Sequence, residues 1–158
     1  MNTNYKINTE WNVWIHSIFD DNWNIHSYKN IFNIANLYDY KYFISNMKDI
    51  YLSRNMVFIM RAGIEPIWED DNNRNGCTFS FKIDNKHRLK EFDILLKKVI
   101  SESIHRELEN YNNITGISIV PKRAFTIIKI WVRNKNTLEI INTYKPYIID
   151  SNLHIKHH

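Results

Sequence analysis

An indole followed directly by carboxylates stands in a polar stretch at Gly63-Ile64-Glu65-Pro66-Ile67-Trp68-Glu69-Asp70. Trp68 offers a flat ring on which a nucleobase can stack, and Glu69 offers two acceptor oxygens at its rim. That pair suits guanine. The ring covers one face of the base, while the carboxylate accepts the adjacent N1–H and N2–H donors of its Watson–Crick edge through charge-assisted hydrogen bonds. One stacking surface holds a base weakly, so a second indole is needed on the other face. The chain supplies Trp11, Trp14, Trp23 and Trp131.

Their settings sort these candidates. Trp68 precedes Glu69, Asp70 and Asp71, and Trp23 lies between Asn22 and Asn24, so both belong to polar loops rather than to a core. Trp11 and Trp14 sit in an alternating segment and read as core residues. Trp131 ends an apolar strand and suits either role.

The elements that must position these groups are read from periodicity. Glu10 to His16 alternates as a strand, with Trp11, Val13 and Ile15 on one face and Trp14 on the other. Tyr28 to Ile34 reads as a second strand. A helix from about Ala35 to Met47 follows, with Asn33 or Asn36 as its cap. Met56 to Met60 is an apolar run of strand length. Thr78 to Ile83 alternates cleanly and is expected to pair with that run across the Asp70 to Gly76 loop. The spacing of Leu89, Phe92, Leu95, Leu96, Val99 and Ile100 predicts a helix over His87 to Arg106. Ile114 to Val120 and Thr126 to Val132 read as strands joined by the Lys122-Arg123-Ala124 turn, Asn136 to Tyr144 as a shorter helix, and Leu153 to Lys156 as a last strand. Strands outnumber helices and follow one another through short loops. The expected class is therefore α+β, an antiparallel sheet covered on one face by helices.

At 158 residues, with no internal repeat or low-complexity linker, the chain reads as one domain spanning 1–158. Hydrophobic residues form 44% of it, which argues against disorder. A formal charge of +4 suits a polyanionic partner without identifying one. The single cysteine, Cys77, allows no internal disulfide, and no His or Cys cluster has metal-ligand spacing, so neither a metal nor another cofactor is expected. No apolar run approaches the roughly 20 residues that cross a bilayer, and the amino terminus lacks the regions of a secretion signal. A cytoplasmic monomer without membrane contact is the expectation.

The chain resembles eukaryotic translation initiation factor 4E, the family that binds the 7-methylguanosine cap of messenger RNA. The resemblance rests on the Gly63 to Asp70 run, on Trp11-Asn12-Val13-Trp14, Trp23 and Trp131, on Ile100-Ser101-Glu102, and on Gly116 fifteen residues before Trp131. It implies a non-catalytic module. It also implies a strongly curved sheet with three helices on its convex back and the ligand slot on its concave side. By this resemblance Trp23 is the second ring, the backbone N–H of Trp68 holds the guanine oxygen, and Trp131 packs against the N7 methyl group. Methylation gives the base a delocalised positive charge, for which two indole faces are favourable, about 0.5–2 kcal/mol per cation–π contact. Gapless alignment between Gly116 and Trp131 sets Lys122 at the family's phosphate-binding arginine, and a one-residue shift sets Arg123 there instead. Ile127 replaces a family lysine. Lys129 shares strand parity with Trp131 and takes that lysine's place on the same face. Thr78 stands where a basic residue often adds a further contact. A composition rich in Asn, Ile and Lys reads as the coding bias of an A+T-rich genome, such as that of a large DNA virus.

The chain also departs from the family. Relatives dock a helical motif of scaffold and repressor proteins with a tryptophan in the first helix and a Leu-Glu pair in the second. Here Tyr38, Asp39 and Tyr40 stand in the first and Asp93-Ile94 in the second. Recruitment of a scaffold of the initiation factor 4G type would therefore use a non-standard dorsal surface. The alternative is a cap-binding repressor or a pseudo-module acting through other protein contacts. The chain ends soon after Leu153, so the family's mobile carboxy-terminal loop is expected to be largely missing. A Nudix-type cap hydrolase needs a Gly-led helix crowded with glutamates for magnesium, and Glu91, Glu102 and Glu107 are too dispersed for that.

Overall fold

A computed structural model describes residues 5–103, 113–134 and 153–157. Met56 to Met60 is uninterruptedly apolar because its strand is covered on both faces. Val57 and Ile59 join one hydrophobic cluster, while Met56, Phe58 and Met60 join a second on the opposite side of the sheet. The strands are β1 (Lys6–Ser17), β2 (Lys29–Asn36), β3 (Asn55–Arg61), β4 (Cys77–Ile83), β5 (Ile114–Pro121), β6 (Thr126–Val132) and β7 (Leu153–His157). They form one seven-stranded sheet in the order β2-β1-β3-β5-β6-β4-β7. Every neighbouring pair is antiparallel.

Helices α1 (Leu37–Asn46), α2 (Asp49–Leu52) and α3 (Arg88–Ile100) contribute Tyr40, Leu52, Phe92, Leu95, Leu96, Val99 and Ile100 to the larger cluster, which Met47, the residue after α1, also joins. That cluster also holds Trp11, Val13, Phe79 and Ile117 from the sheet, so it is the core beneath the helices. Each large side chain fully buried there contributes about 1.5–3 kcal/mol. The smaller cluster, with Tyr28, Phe58 and Trp131, backs the concave face. The α+β class and the curved sheet with helices on its convex side are as expected.

Local chemistry sets the helix ends. Asn36 caps α1, its Oδ1 accepting from the N–H of Tyr38 at 2.8 Å and of Asp39 at 3.0 Å, a contribution of about 1 kcal/mol. After α3 the chain turns at Glu102, which holds a left-handed φ of 57°. The short α2 was not anticipated. The predicted helix Asn136 to Tyr144 lies outside the described residues, as does the end of the one predicted to reach Arg106.

One pairing differs from expectation. β4 does not pair with β3 but lies between β6 and β7, while β3 lies between β1 and β5. Alternation tells which face each residue occupies and says nothing of which strand is alongside. The consequence is functional. The segment from Ala62 to Gly76 must pass the ends of β5 and β6 to deliver β4 to its place, which carries the Trp68-Glu69 segment over the concave side of the sheet.

Candidate functional site

The Ala62 to Gly76 segment is held rigidly. Gly63 takes a φ of 85°, which costs a glycine little. Ile64 and Ile67 pack into the smaller cluster and seat the loop. Inside it, Asn73 is only 1% exposed and donates from Nδ2 to the carbonyls of Glu65 at 3.0 Å and Ile67 at 2.9 Å. Its Oδ1 accepts from Thr115 Oγ1 on β5 at 2.7 Å. Asp70 Oδ2 accepts from the Glu65 N–H at 2.9 Å, closing the loop on itself. The carboxylate beside Glu69 is thus structural, while Trp68 remains 57% exposed.

Trp23 comes from the loop between β1 and β2. A succession of Asx turns shapes that loop: Asp20 Oδ1 accepts from the Asn22 N–H at 2.9 Å, Asn22 Oδ1 from Asn24 at 3.2 Å, and Asn24 Oδ1 from His26 at 3.0 Å. The indole is 50% exposed, and one of its faces is already covered. His16, fully buried on β1, stacks on it with ring centroids 4.4 Å apart and planes 5° from parallel. His16 Nε2 donates to the Asn22 carbonyl at 2.8 Å, since that oxygen can only accept. The imidazole thereby fixes both the loop and the ring it carries. Tyr28 packs on His16 at 4.6 Å, Phe58 on Tyr28 at 5.4 Å, and Trp131 on Phe58 at 6.3 Å. Trp131 Nε1 donates to Ser118 Oγ at 3.1 Å. A continuous aromatic series therefore braces Trp23 and Trp131.

Trp23, Trp68, Glu69, Trp131 and Lys129 all line one cavity of about 560 Å³, together with Tyr28, Phe58, Pro66, Ile67, Thr78 and Lys156. That volume lies within the range of small-ligand sites. Trp11 and Trp14 are not part of it; Trp11 is buried under the Arg61 guanidinium, 4.5 Å from its ring centroid. Neither Lys122 nor Arg123 lines it. Both are exposed in the turn beyond the last β5–β6 pair, Pro121 with Thr126. Arg123 offers its carbonyl to Asn85 Nδ2 at 3.3 Å.

The cavity carries charge of both signs. Burial, and then the Glu69 carboxylate, push the Tyr28 phenol up to about 12, so Glu69 places negative potential beside Tyr28. Lys129 is held below the ordinary lysine range by burial first and then by repulsion from Lys156 and Lys122, so cations crowd around it. Exposed indoles, an acid and crowded cations in one cavity suit a ligand with a flat, electron-poor ring carrying donors and an anionic tail. Among the described residues no three His, Cys, Asp or Glu side chains gather to hold a metal ion, and no helix is long and apolar enough to cross a membrane.

His16, Tyr28, Phe58, Asn73 and Lys156 escaped the sequence reading. His16 shares strand parity with Trp14, which placed it on the concave face, but nothing local pointed to Trp23. Lys156 lies opposite Thr78 across the β4–β7 ladder, so a cation reaches the slot beside Thr78 from a strand far along the chain.

The family model described as Eukaryotic initiation factor 4E matches residues 6–157. A eukaryotic translation initiation factor 4E homolog of Acanthamoeba polyphaga mimivirus is 29% identical over 138 residues, covering 74% of this chain and 51% of its own. The chain thus spans about half the length of that relative. Among solved structures, C. elegans eIF4E-3 in complex with the 4E-binding protein Mextli and a cap analog superposes with a TM-score of 0.83 at 16% identity, covering 99% of this chain and 94% of that one. Ascaris suum eIF4E-3 with m7G cap gives 0.81 at 18% identity, with 98% and 92% covered. These likenesses carry the fold. The family match runs almost end to end, and the chain belongs to the eukaryotic initiation factor 4E family.

Proposed function

We propose that this chain binds the 7-methylguanosine cap of messenger RNA, without catalysis, as a translation initiation factor. The methylated base lies between Trp23 and Trp68, Glu69 accepts from N1–H and N2–H, and Trp131 packs on the methyl group. Lys129 and Lys156 hold the phosphates. One observation carries this reading: two half-exposed indoles from separate loops open, with Glu69, onto a single cavity. Leaving about half of each ring in water forfeits on the order of 1 kcal/mol apiece, a cost that a stacked ligand removes. Family membership and folds solved with cap ligands support it.

The test is retention on immobilised 7-methylguanosine diphosphate. Competition by unmethylated GTP should be poor, and Trp68→Ala should release the protein. Equal competition by both nucleotides refutes the reading.

A second reading concerns partners. Asp93 on α3 accepts from Tyr40 Oη on α1 and pairs with Lys97 Nζ at 2.8 Å. Burial, then this bond to Asp93, raises the Tyr40 phenol above its ordinary range. Asp93 is thus already engaged, which favours a scaffold of the initiation factor 4G type docking by a non-standard dorsal surface that does not use this acid. Failure of such a scaffold peptide to bind, or binding abolished by Asp93→Ala, would refute this.

A further inference from the structure

The cations of the concave face do not stop at the slot. Thr78, Ser80 and Lys82 share one face of β4, and opposite them on β6 stand Trp131, Lys129 and Ile127. Since Thr78, Trp131 and Lys129 line the cavity, Lys82 lies on that same face, about 13 Å farther along the strand from Thr78 by strand rise. Its Nζ rests 4.4 Å over the Phe125 ring, in the turn that also carries exposed Lys122 and Arg123. Lys122 is close enough to Lys129 to help lower its proton affinity. No ion pair among the described residues uses Lys156, Lys129, Lys122, Arg123 or Lys82.

We propose that these residues form a track for the RNA chain leaving the slot. The phosphates of the first nucleotides after the cap run along the β4–β6 ladder, with Lys82, laid flat by Phe125, holding one of them. This rests on the cap-binding reading, because the track continues the phosphate end of that site. It fits a nucleic-acid backbone rather than an acidic protein because the cations follow one strand direction from the slot itself. Its contacts are to phosphates, so it is indifferent to sequence.

The experiment compares 7-methylguanosine triphosphate, a short capped RNA and the same RNA uncapped, each titrated across a salt series. Wild-type protein should bind capped RNA more tightly than the cap nucleotide, with a steeper fall in log K against log salt. Lys82→Gln should leave binding of the cap nucleotide unchanged while making the capped-RNA slope shallower by about 0.7, the loss of one single-strand phosphate contact. Lys82→Glu should weaken capped RNA further. Capped RNA binding no better than the nucleotide, or unaffected by Lys82→Glu, overturns the track and leaves the patch to an acidic protein. If the cap nucleotide fails to bind at all, the slot reading is what fails; the track then stands or falls on whether Lys82→Glu weakens the uncapped RNA.

Discussion

Glu102→Gln should destabilise the fold by about 3 kcal/mol, the low end of the range for breaking a buried pair. The Arg61 and Glu102 side chains are 8% and 7% exposed, and meet at 2.7 Å and 3.3 Å. Removing the carboxylate's charge leaves a guanidinium buried. It keeps some compensation: Arg61 Nε and Nη2 donate to the Ile114 carbonyl at 3.1 Å and 2.9 Å, Nη1 donates to Thr9 Oγ1 at 2.5 Å, and the Trp11 face lies under its charge. That retained shell is why the low end is expected. The network ties β1, β3, β5 and the turn after α3, and Arg61 is the last residue before the loop that carries Trp68. A second comparison isolates the backbone. Glu102 holds a φ of 57°, a left-handed conformation costing a non-glycine residue about 1–2 kcal/mol. Glu102→Gly and Glu102→Ala both remove the pair, so Gly should be milder than Ala by about 1 kcal/mol. Urea unfolding followed by circular dichroism measures both. At a slope of about 2 kcal/mol/M, the Gln variant should lose about 1.5 M in midpoint with the slope unchanged. A loss under about 1 kcal/mol would show that the pair does not support the fold, and Gly no better than Ala would show that the left-handed backbone at Glu102 carries no strain.

Three further outcomes follow from the site. His16→Ala should weaken 7-methylguanosine nucleotide binding about ten-fold, from the lost ring contact and the lost bond to Asn22, each about 0.5–1.5 kcal/mol; His16→Phe, which keeps the plate, should recover most of it, read by tryptophan quenching. Lys129 should impose opposite pH trends on stability and binding. Its folded pKa lies below the unfolded value, so the deficit in stability is full below the folded pKa and is relieved as pH rises through it, while phosphate affinity falls over the same window. Lys129→Arg, charged throughout, should flatten both trends in thermal melts and in titrations from about pH 7 to about 10. Gly76→Ala should destabilise by about 1–3 kcal/mol or more, because its Cβ would collide with the Val132 carbonyl, backbone that cannot swing aside; an unchanged melting temperature would contradict this.

Short-range chemistry was legible in the chain itself. Alternation placed Trp11 and Val13 opposite Trp14, and the two clusters divide them that way. The periodicity of α3 and the Asn36 cap are local hydrogen-bonding and burial patterns, which a linear sequence carries completely. The polar settings of Trp23 and Trp68 marked them as exposed, which they are. Trp131, ambiguous in sequence, is both buried and part of the cavity wall, because its N–H is satisfied by Ser118 while Phe58 meets its ring edge-on.

What only the tertiary structure decided is adjacency between segments far apart in the chain. Strand order puts β5 and β6 between β3 and β4, so the loop with Trp68 crosses above them rather than closing a hairpin. Pairing across β4 and β7 brings Lys156 beside Thr78, and packing brings His16 flat against Trp23. The period of two along a strand specifies which way a side chain faces and leaves its neighbour across the ladder open. That choice is made by the burial of both sheet faces at once, an energy summed over the whole molecule and written in no single segment.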